Sequence, residues 1–380
     1  MHFAYDAEQK LLQGSVAQML DDRNAFDDLR AHLEDDTTHD AQTWRAGAEL
    51  GWFAMLTDEA HGGGSLTGQP LVDLAAIAEQ LGRRLYPGPF LETNVVVETL
   101  TRFASGDEHK DLLEALVVGV SIAGWCVGSD GSADGSAIDV RISAGPDADS
   151  VRLDGRAGFV RDAPACAALL TYAERNGAVQ LVLVPQGSVG VSYRALRTID
   201  LTRRFYEVTF DGVVVPSSAV VVGPDASGAA LSRAACVATV VQAAEAAGAA
   251  AEIFRRTVDY LQIREQFGRK IASFQAIKHR LADLAIVSEA AQATARYAAM
   301  AVDDGRDDAD AAVATAGAYV RESFAQICSE ALQLHGGIGF TWEHDLHLFL
   351  RRAKADQALW SSADQQLERL VSLLAAEVSA

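Results

Sequence analysis

The chain has 380 residues, 49% of them hydrophobic and 22% charged, the balance of a folded protein long enough for two or three packed units. With 52 acidic against 32 basic residues its formal charge is −20, which excludes nucleic-acid backbone binding as the main use of the surface. Cys126, Cys166, Cys236 and Cys328 form no CxxC pair and have no histidine at zinc-finger spacing, so they read as reduced core thiols and no metal is expected.

The start, MHFAYDAEQKLLQGSVAQML, has no basic region ahead of an apolar stretch, which points to a cytoplasmic protein. Residues 1–115 carry helical period in AEQKLLQGSVAQMLDD and PLVDLAAIAEQLGRRL, broken by the turn-rich HGGGSLTGQ and PGPF. From 116 to 222 the texture changes to short β-branched runs such as DVRISA, VQLVLVP and YEVTFDGVVVP, which predict a small barrel or sandwich. From 223 to 380 long helical period returns, enough for an antiparallel four-helix bundle. Thr239, Gln242 and Glu245 interrupt the Ala-rich run at 234–251, so a buried helix is expected there and no membrane span. The fold class is α+β in three parts. Neither HGGGS nor HGGIG follows a strand in a βαβ unit, and no GxxxxGK[ST] loop occurs, which removes the common nucleotide folds.

Two motifs stand out in the last third, REQFGRKIASFQAIKHRLADL at 264–284 and QLHGGIGF at 333–340. Together with the helical, β, helical order they resemble the acyl-CoA dehydrogenase family over essentially the whole chain. The resemblance implies FAD as cofactor. Its adenosine diphosphate end would be held by Arg264, Gln266, Phe267, Phe274, Gln333, Gly336 and Gly337, largely across a dimer interface, with Ser362 and Asp364 as further contacts. It also implies an acyl-CoA thioester as substrate, an electron-transfer flavoprotein or similar acceptor, and assembly as a dimer or tetramer. The chemistry of the residues agrees: Arg264 offers fixed guanidinium donors to pyrophosphate oxygens, and Gly268 reads as a helix end that lets backbone approach a ligand. Phe267 and Phe274 supply apolar surface, Gln333 a polar edge, and Gly336 and Gly337 room for close approach. Taken singly, Arg264 would pair with an acidic neighbour and the glycines would cap a helix. His335, His344 and His347 lack a further ligand and are expected to hydrogen-bond at a surface or interface, not to bind metal.

Family chemistry removes the α proton of the thioester with a Glu in a dry pocket while FAD accepts the β hydrogen as hydride. The resemblance places that Glu six residues after the Lys of an RxAK stretch, here Trp360 after Lys354, or in a second branch 26 residues before Arg264, here Ala238. Thr239 stands beside it where an Arg is frequent. Neither position is acidic, so no catalytic residue is assigned. Glu245, seven residues beyond 238 and roughly 10 Å along the same helix, and Asp356 and Asp364, which flank Trp360, are the remaining candidate bases. WCVGSDGSADGSA at 125–137 stands where the family has a TEPxxGSD-like loop against the flavin ring. Phe159, Val160 and Arg161 stand where an aromatic residue, Ile and Ser or Thr touch it. The apolar pair is kept, and Arg161 is a possible donor to the ring. This pattern resembles the base-lacking subunit of actinobacterial heteromeric steroid-CoA dehydrogenases, so a second dehydrogenase-like subunit is an expected partner. The competing readings are a homomeric flavin oxidase or monooxygenase on the same fold, and a scaffold that has lost FAD.

Overall fold

A computed structural model describes residues 4–379 apart from 24, 32, 34–39, 105, 134 and 136. Six helices open the chain: α1 (Ala7–Asp22), α2 (Ala25–Ala31), α3 (Ala41–Glu49), α4 (Pro70–Arg83), α5 (Phe90–Phe103) and α6 (Lys110–Val117). A capping box starts α1, in which Gln9 N donates to Asp6 Oδ1 at 2.8 Å and Asp6 N donates to Gln9 Oε1 at 3.1 Å. No side chain of its own segment caps α4. Instead Asp303 reaches over from the C-terminal region and accepts from Leu71 N and Val72 N, both at 2.9 Å. Burial pushes the Asp303 carboxyl up to about 6. Trp44, Trp52, Phe53 and Phe90 pack edge-on or tilted around one another to form the core beneath α3 and α5.

Eight strands follow: β1 (Ala123–Cys126), β2 (Arg141–Ala144), β3 (Ser150–Arg161), β4 (Ala168–Arg175), β5 (Ala178–Pro185), β6 (Val191–Leu196), β7 (Phe205–Pro216) and β8 (Val220–Val222). Their order is β6-β7-β3-β2-β4-β5-β8, with β1 parallel to β4. The β2–β4 join is a single pair, Arg141 to Glu174, so two leaves meet along one narrow seam. β3 and β7 form the longest ladder, interrupted by register shifts between Leu153 and Gly155 and between Ala157 and Val160.

The last part holds α7 (Pro224–Ile263), a short hairpin of β9 (Glu265–Gln266) and β10 (Arg269–Lys270), α8 (Gln275–Asp303), α9 (Ala309–His335), α10 (Leu346–Asp356) and α11 (Ala363–Ser379). Helices α7, α8, α9 and α11 are the four long members of the bundle. At 40 residues α7 runs about 60 Å, and its apolar stretch is long enough to cross a bilayer, yet 83% of that stretch is buried inside the molecule. Small residues make this possible. A Cβ on Gly82 of α4 would lie 1.9 Å from the Glu245 carbonyl oxygen, and one on Gly248 of α7 would lie 1.9 Å from that of Glu79. The two helices therefore touch backbone to backbone.

Candidate functional site

The two sequence motifs meet at one end of the bundle. Four residues before Arg264, Tyr260 stacks on His335 with ring centroids 4.4 Å apart, and its hydroxyl donates to the His335 carbonyl at 3.4 Å. This brings the REQFG hairpin beside Gln333, Gly336 and Gly337. Gly268 does not end a helix as expected from its surroundings: α7 stops at Ile263, and Phe267 and Gly268, at φ +54° and +75°, form the two-residue turn between β9 and β10. That turn needs a left-handed conformation at both central residues, which throws the Phe267 ring outward at 92% exposure. Phe274 lies edge-on to Phe267, and the Arg269 guanidinium sits 3.9 Å over the Phe274 ring.

This surface fits the adenosine diphosphate end of FAD. Among the described residues the Arg264 guanidinium has no hydrogen-bond or ion-pair partner, and Gln266 and Gln333 are exposed. A Cβ placed on Gly268, Gly336 or Gly337 would meet nothing within 4 Å, so this face of the chain is open for a ligand and a second subunit to cover. The three histidines gather no metal site: His344 donates no helix face because it precedes α10, and burial pushes the His335, His344 and His347 imidazoles below their ordinary range. Among the described residues no group of three potential metal ligands occurs.

The two positions at which the resemblance expected a base, 360 and 238, lie elsewhere, and they converge. Trp360 and Ala238 line one enclosed cavity of about 120 Å³, together with Thr239 and Gln242 of α7, Arg321 of α9, and Gln366 and Arg369 of α11. Among the described residues lining it, none is acidic. The Trp360 backbone is strapped to the 125–137 loop, because Ala133 N donates to its carbonyl at 2.8 Å and its own N–H donates to the Gly131 carbonyl at 3.0 Å. This holds a bulky residue at φ +63°, a conformation costing on the order of 1 kcal/mol or more. Asp134 and Ser136 of the same loop lie outside the described residues.

The other candidate bases are occupied. Glu245 and Asp356 both pair with the fully buried Arg203, at 2.7 and 2.6 Å, in a knot that joins the β6–β7 connection to α7 and α10. Burial pushes the Glu245 carboxyl up against the opposing pull of Arg203, but the side chain does not line the cavity. Asp364 is exposed on the first turn of α11 and does not line it either. Ser362 is committed to capping that helix, accepting from Gln365 N at 3.2 Å and donating its own N–H to Gln365 Oε1 at 2.7 Å. Val160 and Arg161 are buried, not ring contacts. Arg161 pairs with Glu92 at 3.3 Å and donates to the Pro87 and Gly88 carbonyls, tying the sheet to α5. Only Phe159, half-buried at φ +53° and packed on Gly131, keeps an accessible face.

Sequence reasoning missed Arg321. Its Nε donates to the Gly317 carbonyl at 2.7 Å, and its Nη1 to the carbonyls of Leu359 at 3.2 Å and Asp356 at 3.4 Å and, closer still, to that of Ser361. One guanidinium thus holds the end of α10 and the connection carrying Trp360. Along α9 the hairpin-side Gln333 is twelve residues from Arg321, about 18 Å away, so the hairpin surface and the Trp360 cavity are separate features.

A helical unit, a strand unit and a helical bundle bearing an open RxQFG hairpin define the acyl-CoA dehydrogenase class of fold. The N-terminal and C-terminal acyl-CoA dehydrogenase domain models match residues 6–119 and 233–368, and the chain belongs to the acyl-CoA dehydrogenase family. It is 30% identical over 368 residues to acyl-CoA dehydrogenase IpdE2 of Mycobacterium tuberculosis, covering 96% of each chain. Among solved structures it resembles a chain of the ChsE4-ChsE5 complex from Mycobacterium tuberculosis, with 28% identity, a TM-score of 0.88 and 99% of each chain covered. It also resembles a chain of the Tcur3481-Tcur3483 steroid ACAD, with 29% identity, a TM-score of 0.86, and 98% of this chain and 99% of that one covered.

Proposed function

We propose that the protein is the base-lacking subunit of a heteromeric flavin-dependent acyl-CoA dehydrogenase that desaturates a bulky acyl-CoA thioester, with an electron-transfer flavoprotein or similar acceptor taking up the electrons. The observation that carries this reading is the convergence of Ala238 and Trp360 on a single cavity with no carboxylate among the described residues of its wall. A general base must lie within hydrogen-bond reach of the proton that it removes, and neither Glu245 nor Asp356 is free to do so. The cavity of about 120 Å³ is also well short of the roughly 300 Å³ at which ordinary ligand pockets begin.

Bound FAD would supply the hydride acceptor. The task of this chain is to hold the adenosine diphosphate end with Arg264, Gln266, Phe267, Phe274, Gln333, Gly336 and Gly337, for a ring that works in the partner's catalytic half. The relatives named above include a ChsE4-ChsE5 complex and a steroid ACAD, which supports a heteromer and a bulky polycyclic acyl group. The test is co-expression with neighbouring dehydrogenase-like genes, followed by flavin content and dye-linked desaturation for each combination. The expected result is activity in one pair and negligible activity in this chain alone. Robust turnover by the pure homomer would overturn the reading.

A further inference from the structure

The REQFG hairpin continues into α8 as a basic island on an acidic chain. Residues 264–280 hold five of the 32 Lys and Arg residues and one of the 52 acids, a local charge of +4 in a chain of −20. The start of α8 adds to it, because no side chain caps the helix and its first turn has no acid. Part of this charge is already answered. Arg280 pairs with Glu330 at 2.7 Å, the Arg269 guanidinium lies over the Phe274 ring, and the proposed flavin contact takes Arg264. Lys270 and Lys278 remain. Both are exposed, and among the described residues neither forms an ion pair, although Glu265 is the cross-strand neighbour of Lys270 and Asp283 follows on α8. Apolar surface accompanies them. Lys278, Ala282 and Ile286 recur at helical spacing and so share one face of α8, on which Ile286 is 69% exposed. Ile263, at the end of α7 just before the hairpin, is 76% exposed.

We propose that this face docks an acidic surface of the second dehydrogenase-like subunit, and that its charge disfavours the pairing of two copies of this chain. Exposed aliphatic side chains beside unpaired lysines suit a protein with an acidic rim, whereas a free polyanion would leave the aliphatics in water. An isologous dimer through this face would bring two such patches together, with Lys270 and Lys278 on both sides. An acidic partner supplies the missing counter-charges instead, and a carboxylate for the bare start of α8. Bound flavin does not remove the excess, because its pyrophosphate is assigned to Arg264 and leaves both lysines unanswered. The inference rests on the heteromeric reading, but it is judged by association and not by turnover.

The experiment measures the association rate of the full-length protein, with added FAD, and each neighbouring dehydrogenase-like subunit by biolayer interferometry in about 50 and about 500 mM NaCl. Lys270→Glu/Lys278→Glu should slow association about tenfold or more at the lower salt and much less at the higher, where the charges are screened. Lys270→Gln/Lys278→Gln, which neutralises without reversing, should slow it in the same direction by about threefold. Lys10→Glu/Lys110→Glu makes the same change of net charge at exposed positions on α1 and α6, and its rate should stay within about twofold of wild type. Sedimentation of this chain alone at the lower salt should show no dimer that depends on the two lysines. Three results overturn this proposal alone: a partner that associates equally fast with both lysines reversed, an equal slowing by the remote pair, or a low-salt homodimer that reversal of Lys270 and Lys278 weakens. Failure of every neighbouring subunit to associate overturns it together with the heteromeric reading.

Discussion

Trp360→Glu puts a carboxylate at the position that the proposed reading takes as the vacated base site, and the structure sets its cost. Trp360 is 6% exposed, and truncating a buried aromatic of this size costs about 3–5 kcal/mol. A glutamate retains part of that volume. It also enters a cavity where Arg321 Nη2 has no partner, and a charge-assisted bond is worth about 1.5–3 kcal/mol. The backbone at 360 stays where Gly131 and Ala133 hold it, and the left-handed φ is no worse for Glu than for Trp. The net loss should therefore be about 2–3 kcal/mol, leaving a folded, flavin-binding protein. Chemical denaturation followed by circular dichroism measures the loss, and dye-linked desaturation tests for a trace of restored activity. In an Arg321→Gln background the same substitution should cost about 1.5–3 kcal/mol more, because the new carboxylate is then buried without its cation. A loss above about 5 kcal/mol in the single variant, or no coupling between the two positions, would refute the argument and make Trp360 plain core.

Arg264→Ala should weaken flavin retention about tenfold or more by removing charge-assisted bonds to a pyrophosphate, measured from the flavin-to-protein absorbance ratio after dialysis. Arg203→Met removes the one cation that both buried carboxylates, Glu245 and Asp356, pair with and should cost about 3–5 kcal/mol. The Glu245 carboxyl, which burial already pushes up, would lose the opposing pull of Arg203 and sit further above its unfolded value, so the deficit seen in urea melts should grow as pH rises and shrink in acid. Asp303, at about 6 in the folded protein against 3.8 as its ordinary value, already behaves this way: the stability it contributes is complete below pH 3.8 and is lost as pH rises through 6, by up to about 3 kcal/mol. Urea melts of Asp303→Asn across pH 4 to 7 should lack that component, and a pH profile parallel to the wild type would count against it.

The helical stretches were legible because apolar residues recur with helical period, and the strands because β-branched runs alternate with turn residues. The REQFG stretch was expected to end a helix at Gly268 and was not legible as a turn, since the chain ends α7 at Ile263 and puts Phe267, not only Gly268, in the left-handed region. Arg161 illustrates what one-dimensional spacing leaves out. Position alone offered it to a flavin ring, but its guanidinium is turned to Glu92, sixty-nine residues earlier in the chain. Glu245 and Asp356 looked available for the same reason, since nothing local announces that Arg203 from the strand region takes both. Arg321 did leave a signal. It shares a stripe with Ala314, Gly317, Phe324 and Cys328, all buried, and a charge on the core face of a helix calls for a partner.

The contact of Gly82 with the Glu245 carbonyl, and of Gly248 with that of Glu79, bears on how the protein moves. Helix α4 belongs to the first part of the chain and α7 to the last, and the Arg203 knot fastens the strands to both α7 and α10. Parts that differ in sequence texture are thus interlocked at backbone distance. On the proposed heteromeric reading, a second subunit would dock against a body whose shape is already set, so association should proceed with little change of backbone and its rate should be governed by encounter and orientation.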